Sequence, residues 1–308
     1  MRRWMASVVL VSACGGGGAQ PETAATENAT PADDTPATSE SNSEASPAAA
    51  EASAAESRIA PPQKGTAAAE TRSIHMDFEL TLHRGDSPAG LQSGTWSVEE
   101  QRSMQVREVG PRAIRVMSVV FGKRIAGPLL GIEKKPVTAG KKFLVTAKDG
   151  GAKVEYLDGG TAPAEERDAV LGEFGYVGAP SLLARIVSAN PVAGKKTSLD
   201  LRQALAVLGE VPGLDLDATK VTLTFEALRD GSRKSAAFKV EVKSRIVSGP
   251  THFAFDLTGP LEVDLHSGWI KHLELDGAVQ PGGQVKTKKG MLGVKGKGTI
   301  RIERKTTF

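Results

Sequence analysis

The chain has 308 residues, a formal net charge of +3 and a single cysteine. Such a weak positive charge does not provide the concentrated basic face typical of nucleic-acid-binding proteins, so we expect no nucleic-acid partner. One cysteine cannot form an intrachain disulfide, which leaves the packed core to stabilise the fold. The length suffices for one large domain or two small ones.

The amino-terminal residues have the pattern of an export signal. Two arginines precede an apolar run at 4–11, and small residues lead to Cys14. The sequence Val-Ser-Ala-Cys at 11–14 resembles the lipobox of bacterial lipoproteins. This resemblance implies that residues 1–13 are a signal peptide and that Cys14 is acylated, so that a lipid anchor holds the chain on a membrane. In the alternative interpretation, Cys14 is incidental to an ordinary signal peptide or to a wrongly assigned start codon.

Residues 14–66 are predicted to form a disordered acidic tether. The segment is rich in Ala, Ser, Thr and Pro, and it contains no aromatic residue. Between 15 and 64 there are eight acidic and two basic residues. Such a segment cannot bury enough apolar surface to offset the entropy lost on ordering. We therefore expect a flexible leash between the anchor and a folded body.

Residues 67–308 are predicted to form a β-rich body. Between 73 and 83, apolar and polar residues alternate strictly, which indicates a strand with one buried face. Farther along, the pattern predicts a loop at 84–94 and strands at 95–106, 113–121, 142–147 and 152–156, the last two joined by a turn at 149–151.

The hydrophobic period changes to that of helices in the middle of the chain. Thr161 is expected to cap a first helix, 181–187 is a second candidate, and 202–208 is a third that ends at Gly209. Residues 161–190 therefore form a helical insert between two strand-rich halves, 71–160 and 195–308. In this position the helices could cover one face of a sheet.

Strands resume after the insert. They are predicted at 220–228, 234–247, 252–257, 261–266, 269–275 and 299–305. With about ten strands in all, the predicted fold is mainly β. It is an antiparallel sheet, either a half-barrel or a two-halved β domain, with two or three short mid-chain helices.

This organisation resembles the half-barrel envelope lipoproteins, such as the Lol lipoprotein carriers. The stretches 190–194 and 259–275 are also similar to β-rich bacterial lipoproteins of unassigned role. The first resemblance implies an apolar concavity that can hold acyl chains. Candidate lining residues are Phe78, Val116, Val120, Phe225, Phe253 and Phe255. In the alternative interpretation, these alternating apolar residues only form the core.

The sequence provides little for catalysis. We find no nucleophile elbow, phosphate-binding loop or His-Glu-x-x-His motif, and so expect no catalytic site, metal site or cofactor. If 261–275 is a hairpin with a three-residue loop, Asp264 pairs with His272 across the strands. Because no nucleophile accompanies them, we interpret this pair as structural.

A glycine-rich segment at 282–298 carries five lysines. They are Lys286, Lys288, Lys289, Lys295 and Lys297. In one interpretation the segment is a mobile basic loop that contacts anionic lipid headgroups or cell-wall polymers. In the other it is a hairpin whose lysines protect an edge strand from aggregation.

These features predict an exported, lipid-anchored protein of the cell envelope, placed on the outer membrane and facing the periplasm or the exterior. Its β domain is expected to bind a lipid or another apolar ligand without being an enzyme. One alternative is a module that binds proteins or the cell wall without a ligand pocket. A hydrolase ranks third.

Overall fold

The fold is given by a computed structural model that describes residues 61–127, 129, 137–149, 151–189, 191–287 and 290–308. The predicted signal peptide, Cys14 and the tether as far as residue 60 lie outside the described residues. At the end of the predicted tether, the Gly65 N–H donates to the Val106 carbonyl at 2.9 Å, and the Val106 N–H donates to Thr66. The last residues of that segment thus contact the body.

The described residues form eleven strands and three helices. The first half contains β1 (Ala67–Arg84), β2 (Ser87–Val109), β3 (Ile114–Ala126), β4 (Lys142–Lys148) and β5 (Gly151–Tyr156). The middle contains α1 (Ala164–Phe174), α2 (Leu182–Ser188), β6 (Lys196–Leu199) and α3 (Leu201–Leu208). The second half contains β7 (Lys220–Arg229), β8 (Ser235–Ser248), β9 (Thr251–Asp264), β10 (Ile270–Thr287) and β11 (Gly290–Thr307).

All eleven strands belong to one antiparallel sheet in the order β5-β4-β3-β2-β1-β11-β10-β9-β8-β7-β6. β1 lies at the centre of the sheet, and β2 to β5 follow outward to one edge. The chain then passes through α1 and α2 to β6 at the opposite edge, and β7 to β11 return inward until β11 pairs with β1. Within the described residues the edge strands β5 and β6 do not pair, so the sheet is not closed. The prediction of a mainly β, antiparallel fold with short mid-chain helices is confirmed.

The sheet curls toward one face. The rings of Phe78 on β1 and Phe253 on β9 have centroids 5.2 Å apart, although β11 and β10 lie between these strands. In a flat sheet the two strands would be about 14 Å apart. Glycines allow neighbouring backbones to approach closely at the bends. An ideal Cβ at Gly277 or Gly296 would overlap the carbonyl oxygen of Asp256 or Glu79.

Two apolar cores fill the inward face. The larger one is built mainly from β1, β7–β11, α2 and α3, and the smaller one mainly from β2–β5 and α1. The alternation predicted for the first strand is confirmed, because Ile74, Met76 and Leu80 are buried. The helices therefore cover the inward face, as expected for the insert.

Several predicted strand boundaries are wrong, and two of them show how strand pairing overrides the local pattern. Residues 87–94 belong to β2 rather than to a loop, and this part of β2 is exposed, so it lacks the apolar alternation on which strand prediction depends. Its pairing with β1 maintains it as a strand. The strands predicted at 252–257 and 261–266 form a single strand, β9, because pairing with β8 continues through Pro260.

The helix ends show which capping signals are effective. Thr161 is not a cap, since α1 begins after Pro163 without a capping side chain. Ser181 accepts a hydrogen bond from the Ala184 N–H and caps α2. Asp200 forms a capping box on α3, which ends at Gly209 as predicted. In the described part of the chain, no helix is both long enough and apolar enough to cross a membrane.

The glycine-rich segment is not a mobile loop where the structure describes it. Residues up to Thr287 belong to β10 and residues from Gly290 belong to β11, so the segment belongs to a hairpin. The predicted protection of an edge strand by its lysines is wrong, because both strands lie in the middle of the sheet. Lys288 and Lys289 lie outside the described residues.

Candidate functional site

A band of charged side chains crosses the inward face of β1, β2, β3 and β11. On β1, Glu70 and Arg72 are in phase with the buried Ile74, and on β11 Arg304 is in phase with Ile302. Because alternate residues of a strand share a face, these charges point into the protein. The sheet residues of this charged band, each at most 8% exposed, are Glu70, Arg72, Glu100, Arg102, Arg124 and Arg304.

Ion pairs connect the strands within the charged band. Glu70 lies opposite Arg102 in the β1–β2 register and accepts a hydrogen bond from its Nη2 at 2.7 Å. The same carboxylate accepts from Nε and Nη2 of Arg304 at 3.1 and 3.2 Å. Glu100 lies within 3.6 Å of both Arg72 and Arg124.

The helical segment supplies further partners. Glu173, in the last turn of α1, accepts from Arg102, and its carboxylate lies 3.9 Å from Arg72. Arg304 donates to the carbonyls of Ala206 and Val207 at the end of α3, where cations are favourable. Beyond α3, Glu210 accepts from Arg124 at 2.9 Å through its side chain and again through its carbonyl. The charged band, extended by Glu173 and Glu210, thus attaches the helices to the sheet.

Arginines lower the pKa of two acids of the extended charged band, Glu173 and Glu70. Burial by itself would raise the pKa of Glu173, but the nearby Arg102 and Arg72 outweigh it and lower that pKa to about 2. Burial raises and Arg102 and Arg304 lower the pKa of Glu70, with a net lowering. Burial lowers the pKa of Arg72 to about 10, against the opposing charges of Glu173 and Glu100. Four arginines face four glutamates, so the extended band is neutral as a whole.

A cavity of about 700 Å³ opens beside the charged band, between the helices and the sheet. Its apolar lining includes Met104, Leu171, Leu182, Leu183, Leu205 and Ile270, and its charged lining includes Glu70, Arg102, Glu173 and Arg304. Small-molecule sites span roughly 300–1,000 Å³ and combine apolar walls with a few polar groups. The cavity has the size and the amphiphilic character of such a site.

Two buried donors in this lining have no acceptor. Nε of Arg102 and the indole N–H of Trp269 meet no hydrogen-bond partner in the described part of the structure. The Tyr176 phenol, also in the lining, lies close to this indole, whose N–H lowers the pKa of the phenol against the larger effect of burial. Burial raises the pKa of this phenol, which therefore stays protonated at neutral pH. An unsatisfied buried donor costs about 1–3 kcal/mol.

The six lining candidates from the sequence lie elsewhere. Phe78, Phe225, Phe253 and Phe255 are buried in the larger core. Val116 and Val120 are half-buried on the face of β3 opposite that of Met117 and Val119. None of the six lines the 700 Å³ cavity. The structure thus brings the four phenylalanines together in one core and leaves the two valines on the other side of the sheet.

The predicted Asp264–His272 pair is wrong. Residues 265–269 separate β9 from β10, and a bulge follows Ile270, so His272 lies opposite Glu262. Asp264 is fully buried and accepts from Arg233 at 2.8 and 3.0 Å and from the Ser267 hydroxyl. Across the described residues, no group of three or more His, Cys, Asp or Glu side chains is placed to hold a metal ion.

Comparisons with known proteins add little. No family model matches the chain, and no curated protein matches it. A lipovitellin structure, described by its lipid–protein interactions, is 10% identical to this chain, with a TM-score of 0.29. The aligned region covers 80% of this chain and 25% of the lipovitellin chain. Pseudomonas aeruginosa OpdQ is 8% identical with a TM-score of 0.15, covering 70% of this chain and 62% of its own. This chain thus spans about a quarter of the lipovitellin chain, and both similarities are too low to carry an argument.

Proposed function

We propose that this chain is an exported, lipid-anchored envelope protein whose β body binds a lipid or another apolar ligand. The lipobox pattern at 11–14 supports acylation of Cys14 and a place on the outer membrane, facing the periplasm or the exterior. The observation that carries the binding function is the 700 Å³ cavity between the helices and the sheet.

The lining explains why an apolar chain would enter. Leucines from all three helices form its walls, and apolar surface removed from water contributes about 25 cal/mol per Å². The charged side is already paired within the protein, so it does not require a charged ligand. The four phenylalanines predicted to line a pocket are buried in the larger core and do not line this cavity, so we place the acyl chain against the leucines of the helices.

Lipid extraction from the purified full chain tests this function. Organic solvent removes non-covalent lipid, whereas acyl groups attached to Cys14 stay with the protein, so mass spectrometry separates the two sources. A Cβ at Gly172 on α1 would meet no atom within 4 Å, and this residue lines the cavity. Gly172→Trp should therefore fill the cavity and abolish lipid recovery.

The control is Gly172→Ala, which makes the same change to the backbone without filling the space. It should retain the lipid. A wild-type protein purified from membranes with no extractable lipid would contradict ligand binding and would favour an interaction module instead.

A second candidate function is contact with an anionic membrane surface. Lys286, Lys295 and Lys297 are exposed on the outward face of β10 and β11. Two exposed apolar side chains share this face, Met291 opposite Lys286 at 48% exposure and Leu91 at 77% exposure. Thr81 lies opposite both Leu91 and Lys295, so these residues follow one row across the sheet. Basic residues next to exposed apolar ones suit anionic lipid headgroups.

Charge reversal tests this contact in a Cys14→Ser background, where no lipid anchor can mask it. The triple variant Lys286→Glu, Lys295→Glu and Lys297→Glu should lose co-sedimentation with vesicles rich in phosphatidylglycerol. The matched triple variant Lys220→Glu, Lys239→Glu and Lys243→Glu changes the net charge equally on other strands and should still sediment. Equal binding by both variants would remove the contact.

A further inference from the structure

The cavity carries two opposite charges that the protein leaves unpaired. Asp168 on α1 and Arg185 on α2 both line it, and both residues are exposed. Within the described residues, neither side chain forms an ion pair or a hydrogen bond, and the two do not pair with each other. The buried charged band is different, because its acids and arginines already hold one another. We refer to Asp168 and Arg185 as the rim charges.

Helical spacing places both rim charges on the cavity side of their helices. Asp168 precedes Leu171 and Gly172 by three and four residues, and Arg185 follows Leu182 by three. Residues at these spacings share one face of a helix, and all three of these neighbours line the cavity. The rim charges therefore lie on the cavity-facing sides of two different helices while they remain accessible to solvent.

The rim charges determine which headgroup suits the cavity. An acyl chain against the leucines leaves its headgroup at the opening, beside Asp168 and Arg185. A guanidinium binds phosphate through two parallel hydrogen bonds, and a carboxylate accepts hydrogen bonds from an ammonium group. An anionic headgroup would be attracted by Arg185 but repelled by Asp168, and an uncharged headgroup would pair with neither. A headgroup that carries both charges complements both residues.

The carboxylate also distinguishes between two kinds of zwitterionic headgroup. A primary ammonium has three N–H donors for Asp168, whereas a quaternary ammonium has none and is recognised by aromatic faces. Of the aromatic residues in the described lining, Phe174 and Trp269 are buried and Tyr176 is half-buried, so they form no exposed aromatic cage. The cavity opening therefore favours a primary ammonium.

We propose that the ligand is an acyl lipid with a phosphoethanolamine headgroup, whose phosphate binds Arg185 and whose ammonium binds Asp168. This inference rests on the proposed lipid-binding function and adds the chemistry of the headgroup. Most of the affinity comes from burial of the acyl chain, because exposed ion pairs contribute little. The rim charges thus provide a severalfold preference between headgroups.

Displacement of a fluorescent naphthylamine probe from the full chain tests the headgroup. The Cys14→Ser form is used, so that the protein's own acyl groups cannot occupy the cavity. Four lipids with one lauroyl chain are compared below their critical micelle concentrations: lysophosphatidylethanolamine, lysophosphatidylcholine, lysophosphatidylglycerol and monolauroylglycerol. Lysophosphatidylethanolamine should compete severalfold more strongly than each of the other three.

Equal competition by all four lipids, or stronger competition by one of the other three, would overturn the headgroup and leave lipid binding intact. Failure of the probe to bind, or of every lipid to displace it, would overturn the proposed function itself.

Single substitutions assign the two charges. Arg185→Gln should weaken the three phospholipids to the level of monolauroylglycerol. Asp168→Asn should abolish the preference for lysophosphatidylethanolamine over lysophosphatidylglycerol and leave monolauroylglycerol unchanged. Arg84→Gln and Asp86→Asn are the matched controls, because both residues are exposed beside the β1–β2 turn and do not line the cavity. An unchanged preference in both rim variants would show that these charges do not bind the headgroup.

Discussion

At the scale of single residues, the ion pairs of the charged band contribute little to the net stability of the fold, whereas the loss of one partner destabilises it strongly. Glu70 is 4% exposed and holds both Arg102 and Arg304. Two ions lose their hydration when such a pair is buried, so the net gain from the pair is small. Removing one partner is different, because it leaves an uncompensated charge inside the protein.

We expect Glu70→Gln to lower the free energy of unfolding by about 3–5 kcal/mol, since two buried arginines lose their shared carboxylate. Urea denaturation of both proteins measures the difference. Asp256→Asn is the control, because its ion pair with Lys243 is exposed on both sides. The control should show no measurable change, and an equally small change in Glu70→Gln would contradict a stabilising role for the band.

Glu173 makes stability depend on pH. Its pKa is about 2 in the folded protein and 4.5 in the unfolded chain, so its contribution is fully present above pH 4.5. The folded state loses that contribution as the pH falls from 4.5 toward 2, because the carboxylate must then be protonated.

The free energy of unfolding should therefore fall more steeply over this pH range in the wild type than in Glu173→Gln. Denaturant titrations at several pH values measure the slope. Parallel curves for the two proteins would show that Glu173 is not held as an ion by Arg102 and Arg72.

At the scale of elements, the junction between α3 and the sheet depends on Gly209. This residue ends α3 with φ of 72°, and an ideal Cβ there would overlap the guanidinium of Arg72. Gly194 has a similar φ of 79°, but a Cβ there would meet no atom within 4 Å. Both glycines have a positive φ, but Gly209 combines it with a ψ of −176°, and the surroundings of the two residues differ.

Gly194→Ala should cost about 1–2 kcal/mol, the cost of the left-handed conformation alone. Gly209→Ala should cost clearly more, because its φ and ψ lie in a region that is essentially restricted to glycine and because the new methyl group also displaces Arg72 from the charged band. Thermal denaturation of the two variants measures the difference. Equal melting temperatures would show that Arg72 moves aside without loss.

The sequence predicted most elements, because strand alternation, the helical period at 181–187 and the Gly209 stop are local signals. The cavity between the helices and the sheet escaped prediction for a related reason. Arg102 lies on the same inward face of its strand as Val98, and Arg304 lies on the same inward face as Ile302. In the sequence, however, a charged residue at such a position is interpreted as a break in the apolar pattern. If the two-residue period of each strand is extended through the charged positions, both arginines are placed on the inward face of the sheet. Their glutamate partners on other elements could not have been assigned from spacing.

At the scale of the whole molecule, the strand order has no local signal. β1 pairs with β11 in register from Ala69 opposite Thr307 to His83 opposite Gly293, across more than two hundred residues of sequence. The hydrophobic pattern of each strand is satisfied by any partner with a matching inward face. Pairing of the first strand with the last was therefore beyond sequence reasoning.

Circular permutation tests the kinetic effect of this pairing. A short linker joining residue 308 to residue 61, with new ends between Val192 and Ala193, brings β1 and β11 close together in sequence. Because loop closure between distant strands slows folding, the permuted body should refold several times faster than residues 61–308 in their natural order. Stopped-flow fluorescence measures both rates. Equal rates would show that the β1–β11 pairing is not limiting.

The same pairing has a consequence for the protein during its synthesis. Ribosomes make β1 before β11, so a nascent chain carries a central strand with one open edge until β11 emerges. That edge is long and backed by apolar side chains, which is the form most prone to pairing with other chains. A partly made molecule can therefore complete its two flanks but not its middle, and we expect it to be most prone to aggregation until β11 has been made.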